Sequence, residues 1–329
     1  MQRCIRCILA ACVSALVLWL LLHLVGDSSA RPELRQVLGR AILPLAAGYV
    51  VFFLVQTALR AQRSLVLLRA AGEAQVPPWR HIFLVTLARN MLVDLFPARA
   101  GELSYVALLN RGYQVGLAAC LSSMSVALLF DIVALLALVL LLLPLINIRA
   151  VAGVLLVALV LTIIGCIVFF PLLRWVAARG WGGSFIHRLA EAFRQTREAG
   201  VVMPVALLSL GIRLGKYGAL FCMFLAMALP SFPQLAAAPV GQVLLVLISS
   251  EAAASLPVPT LMSFGSYEAG GTAMWTALGL PAADAALCML ALHIGSQLVD
   301  YLLGGSGLLL VTLLAGRRNG TAAAVEKIN

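Results

Sequence analysis

Charge is scarce in this chain. Only 11% of its 329 residues are Asp, Glu, Lys or Arg, and aromatics make up 7%. A soluble domain carries about a quarter charged residues, so a soluble globular domain is excluded. Histidine is equally thin, with His23, His81, His187 and His293 scattered along the chain, too few and too dispersed for a metal centre. Cys4 and Cys7 form a C-x-x-C with no second pair to complete a zinc site. The other cysteines fall mostly in apolar stretches, where thiols behave as small hydrophobes. There is no G-x-S-x-G, no H-E-x-x-H and no phosphate-binding glycine loop. The expectation is therefore no enzyme, no catalytic residue, no cofactor and no metal.

Apolar residues, by contrast, make up 63% of the chain. Runs long enough to span a bilayer are expected at about 8–25, 41–59, 115–143, 150–175, 203–229 and 283–315. Leu9-Ala10-Ala11-Cys12 looks like a lipoprotein cleavage box, but the apolar run continues to Val25, so an uncut first helix is expected. The net charge of +10 sits mostly in short loops, as topology by the positive-inside rule predicts. Nucleic acid is not needed to explain it. Arg60, Arg63, Arg69 and Arg80 are read as one inner basic loop. Arg174 to Arg197 is read as a basic amphipathic stretch along the inner surface, about 179–199. Both termini then face the cytoplasm of a bacterial inner membrane.

Two stretches break the apolar pattern. Around residues 81–111, two short apolar pieces flank Pro97 and Gly101 and carry Arg89, Asn90, Asp94, Arg99 and Glu102. Around 240–280, a similar pair flanks Pro257 and Gly265 and carries Glu251 and Glu268. Short apolar helices with a Pro/Gly break are the mark of re-entrant hairpins. Each is followed by a long apolar helix with an acid in its middle, Asp131 and Asp300. The expected architecture is an all-α polytopic membrane protein of two inverted-topology repeats, 1–148 and 149–329. Each repeat has three transmembrane helices and one re-entrant broken-helix hairpin. Three crossings are odd, so the second repeat is inverted, as the basic loops independently require.

In such folds the site lies where the broken helices meet. The substrate-binding candidates are Arg89, Asn90, Asp94, Arg99, Glu102, Glu251 and Glu268. The start of each second short helix presents free N–H groups suited to an anion, with Arg99 adding charge or pairing with Glu102 or Asp94. Glu102 and Glu268, if unpaired, would carry protons; if paired, they would hold the hairpins shut. His293, Gln297 and Asp300 fall at i, i+4 and i+7 on one helix face, so Asp131, His293 and Asp300 are candidates for a proton relay, or for polar locks between helices.

Asn90 followed by Phe96-Pro97-Ala98-Arg99-Ala100-Gly101-Glu102 resembles the membrane region of lysylphosphatidylglycerol synthases, a family that includes stand-alone flippase-like proteins. Leu256-Pro257, Phe264-Gly265-Ser266-Tyr267-Glu268 and Gly279-Leu280 are similar to that family's second signature, which is usually richer in glycine. The resemblance implies inverted repeats with re-entrant helices and movement of a lipid between leaflets. A membrane lipid is then the partner, with an anionic or zwitterionic head group, on a hopanoid or polyprenyl-linked lipid as one option. In the synthases a soluble aminoacyl-transferase domain follows; the chain ends at Asn329 without one, so it is not expected to make aminoacyl lipid. Two alternatives stand beside this: a membrane scaffold for a lipid- or glycan-modifying enzyme, and a proton-coupled small-solute transporter.

Overall fold

The computed structural model describes residues 14–16, 19, 33–96, 101–142, 160, 164, 168, 171–172, 175–176, 179, 183–256 and 260–326. The described residues are helical, with no strand among them. In chain order the helices are α1 (Leu34–Gly39), α2 (Leu43–Ala70), α3 (Trp79–Leu95), α4 (Glu102–Tyr113), α5 (Leu117–Leu142), α6 (Gly183–Glu198), α7 (Val202–Ser231), α8 (Pro233–Ala236), α9 (Val240–Ala254), α10 (Ser266–Ala277) and α11 (Ala282–Glu326). Among them four are long and apolar enough to cross a membrane: α2, α5, α7 and, within α11, Ala282–Leu314. Their exposed faces are apolar, with Leu43, Leu141, Leu207 and Leu302 each more than 60% exposed, as lipid contact requires. The chain is an integral membrane protein. The expected spans 8–25 and 150–175 lie largely outside the described residues.

The reading of Arg60, Arg63 and Arg69 as loop is corrected here. They continue α2, which runs unbroken for 28 residues. Neither Gly nor Pro occurs between Gly48 and Gly72, so nothing stops the helix. It ends at Gly72, whose φ of 77° is the left-handed helix stop that glycine adopts without strain.

The chain forms two compact units. The first gathers Met1–Val55, Ala88–Ser104 and Leu214–Ser306; the second gathers Gln56–Leu87, Tyr105–Arg213 and Gly307–Asn329. In the first unit α9 and α10 pack closely. A Cβ on Gly270 would come within 2.5 Å of the Ala253 methyl on α9, so this approach depends on glycine. Phe224 and Trp275 stack at 5.9 Å in its core, and Trp275 is fully buried. In the second unit the start of α3 packs on the end of α4 through Ile82, Val85, Val106 and Leu109. There α6 lies on α5. Phe193 and Leu189, two of the apolar positions read at helical spacing, face Val126 and Phe130.

Candidate functional site

Polar side chains at depth in an apolar chain are costly unless paired. The first unit gathers many of them and pairs them. On α3, Arg89 donates from Nε to Glu102 Oε2 at 2.9 Å and adds a second contact to the same oxygen from Nη2. Its Nη1 reaches Asn90 Oδ1 at 3.3 Å. Glu102 is the first residue of α4, so this ion pair ties the start of one short helix to the previous one. Gly101, just before α4, comes close against the end of α3: a Cβ there would collide with the Leu92 carbonyl. Arg99 lies outside the described residues.

The second short pair is held differently. Gly265 precedes α10 with φ 92°. Its N–H donates to Glu268 Oε2 at 2.6 Å, a reach-back from the third residue of the helix. The helix start therefore already holds an anion, the chain's own carboxylate. Glu268 Oε1 also lies 2.6 Å from His293 Nδ1 on α11, and both side chains are buried. With Gln297 Nε2 3.2 Å from His293 Nε2, the amide donates to Nε2 and Nδ1–H donates to Glu268. Phe264 and Tyr267 stack on the imidazole, each with ring centroids 4.5 Å away. The turn before α10 places Met262 and Ser263 at φ 54° and 60°, a conformation that disfavours residues with a Cβ.

Two more groups complete the cluster. Glu251 on α9 forms an ion pair with Lys216 on α7. Asp300 on α11 accepts the Tyr49 hydroxyl at 2.8 Å, and Asp94, Lys216 and Glu251 lie within its electrostatic reach. Asp94 also influences Tyr49, Tyr267 and Tyr301. Arg89, Asn90, Asp94, Glu102, Glu251, Glu268, His293 and Asp300 thus all belong to the first unit. Among its described residues this group holds the cations Arg89 and Lys216 against five carboxylates.

Asp131 is elsewhere. It belongs to the second unit, where Arg63 grips it with two bonds of 2.6 and 3.1 Å. Arg63 also donates to Ser209 at 2.7 Å, and Arg213 Nε donates to the Asp131 carbonyl at 3.1 Å. Arg63 is 3% exposed. This bidentate arginine clamp has the geometry of a structural lock.

Sequence reasoning missed three partners. Arg63 sits in a helix and not in a loop, and the lack of any helix breaker up to Gly72 is the signal for it. Lys216 carried no assigned partner, and Tyr49 no role. No local pattern marks Tyr49, because its partner is 251 residues away.

No curated protein and no solved structure matches the chain. One family model does, described as the lysylphosphatidylglycerol synthase TM region, over residues 7–304. That match covers most of the 329 residues and carries the helices that hold the paired charges. The chain belongs to the lysylphosphatidylglycerol synthase transmembrane-region family, a membrane domain associated with lipid-related functions.

Proposed function

We propose that this protein moves a lipid between membrane leaflets, binding its head group at the polar cluster of the first unit while the tails stay in the bilayer. One observation carries the reading: Arg89, Asp94 and Glu102 of one short-helix pair and Glu251 and Glu268 of the other all belong to a single unit of an apolar chain. In hydrocarbon such charges are retained where they serve a pathway or site. A head group can exchange with one member of an ion pair, so that binding opens a hairpin and release closes it. Carboxylates outnumber cations among the described residues of the cluster, which favours a zwitterionic head group with an amine over a purely anionic one.

In this reading residues 1–148 and 149–329 are inverted repeats, with α3/α4 and α9/α10 as re-entrant hairpins. Their lengths support it. At 12 residues α4 and α10 rise about 18 Å, short of the roughly 30 Å hydrocarbon core. The protein then works as a transporter and not an enzyme, in a bacterial inner membrane with both termini cytoplasmic. A second reading, proton-coupled movement of a small solute, is favoured by Asp300–Tyr49 and Glu268–His293, two contacts between groups that can exchange protons.

The test is reconstitution in vesicles with fluorescent phosphatidylethanolamine and phosphatidylglycerol. Bilayer crossing is read by chemical quenching of the outer leaflet. We expect transport in the wild type and its loss in Arg89→Gln and Glu102→Gln. Folded variants that transport as well as the wild type would remove the site. A wild type that moves neither lipid but takes up a solute with pH would install the second reading.

A further inference from the structure

The second unit holds a half-open cavity of about 570 Å³, within the roughly 300–1,000 Å³ of ligand pockets. Among the described residues four helices and Pro171 line it, the helices through Leu67 on α2, Phe130 on α5, Phe193 on α6 and Val205 on α7. An empty apolar void loses dispersion contacts along every wall. For a membrane protein the solvent that can fill it is hydrocarbon.

The polar lining is basic. Arg194 and Arg197, in the last part of α6, both line the cavity. Their situations differ. Arg194 is held by Glu191 at 2.6 Å and Glu198 at 2.9 Å. Arg197 is exposed and makes no ion pair among the described residues, so its charge is available to an anion. One turn along two of the same walls, four residues from Leu67 and from Val205, stand Arg63 and Ser209. Asp131 follows Phe130. Arg63 is neutralised there by Asp131 and donates to Ser209, so the Arg197 end of the lining is the one that lacks a matching anion. Elsewhere in this unit Arg179 stacks over the half-exposed Trp175 ring at 3.9 Å, a pairing typical of the membrane–water interface.

We propose that this cavity binds one acyl chain of an anionic phospholipid, whose phosphate rests on Arg197. The site uses no residue of the polar cluster in the first unit, so it stands or falls apart from the transport reading. It gives the amphipathic helix α6 a specific lipid to sit on, beyond general attraction to a charged surface.

The experiment uses the full chain in phosphatidylcholine vesicles doped with either phosphatidylglycerol or phosphatidylcholine bearing a photoreactive group near the chain end. Labelled residues are read by mass spectrometry. We expect labelling at 126–130 and 190–205, stronger with phosphatidylglycerol. Arg197→Gln is expected to cut that preference about fivefold, the weight of one basic residue at an anionic surface. Val205→Trp fills the cavity and is expected to abolish the labelling. Labels confined to outward positions such as Leu207, equal labelling by the two lipids, or full labelling in folded Val205→Trp would each overturn the proposal. If Val205→Trp does not fold, the exposed Arg197→Gln variant decides the question alone.

Discussion

Asp131 and Asp300 hold matching places in the sequence, each in the middle of a long apolar run after a pair of short ones. The fold gives them different chemistry. Asp131 meets Arg63 in a buried two-bond clamp. Asp300 meets a neutral phenol, with Asp94 and Glu251 as further negative neighbours. The short pairs show the same contrast. Glu102 is neutralised by an arginine on the preceding helix, whereas Glu268 caps its own helix and faces a histidine. A charge matched in place by arginine is a fixed clamp, because guanidinium stays charged at any working pH. Carboxylates facing phenol or imidazole keep partners that can change protonation.

The largest effect tests the clamp. Asp131→Asn leaves Arg63 buried with its charge unmatched, and stability is expected to fall by about 3–5 kcal/mol. The double variant Arg63→Met with Asp131→Leu should recover most of that. Denaturant unfolding in mild detergent reads both, and a double variant as weak as the single one would break the clamp assignment.

Next comes the first short pair. Glu102→Gln replaces a charge-assisted bond with a neutral one, at an expected cost of about 1.5–3 kcal/mol. The charge swap Arg89→Glu with Glu102→Arg should restore thermal stability but not transport. Recovered transport would mean that the pair only closes the turn.

Glu268→Gln is smaller, about 0.5–2 kcal/mol, because a glutamine can still cap Gly265. The loss should be local: faster amide exchange at Gly265 and Ser266, with little change in α5. Tyr49→Phe removes one neutral donor from Asp300, at about 1 kcal/mol. Its transport–pH profile should move, while the profile of Asp131→Asn should not. Parallel shifts in both would erase the distinction between the two acids.

The smallest effect lies on α6. Arg194 holds the Glu191 carboxyl below its ordinary range, mainly through their hydrogen bond. A lowered carboxylate contributes stability above its unfolded value, and that contribution disappears as pH falls through the lowered folded value. Both groups are solvent-exposed, so the change is slight. Amide protection across the end of α6, with the intrinsic pH dependence of exchange divided out, should fall on acidification below the ordinary glutamate range, and less so in Arg194→Gln.

The membrane class, the four long helices among the described residues and the short helix pairs are legible in residue order. They depend on run length, helical rise and the breaking power of Pro and Gly, which act within a few residues. The end of α2 is hidden in residue order because dense arginine is also the mark of an inner loop. In fact Arg63 is tolerated inside the helix because Asp131, 68 residues away, neutralises it.

The sequence by itself determined that this protein lives in hydrocarbon, where its helices start and break, and that charges gather near the breaks. Only the tertiary structure decided which charge meets which. Arg89 finds Glu102 across 13 residues, Lys216 finds Glu251 across 35, and Tyr49 finds Asp300 across 251. In a low-dielectric interior a polar group takes whatever complementary partner packing brings within hydrogen-bond reach, and no local pattern encodes that meeting.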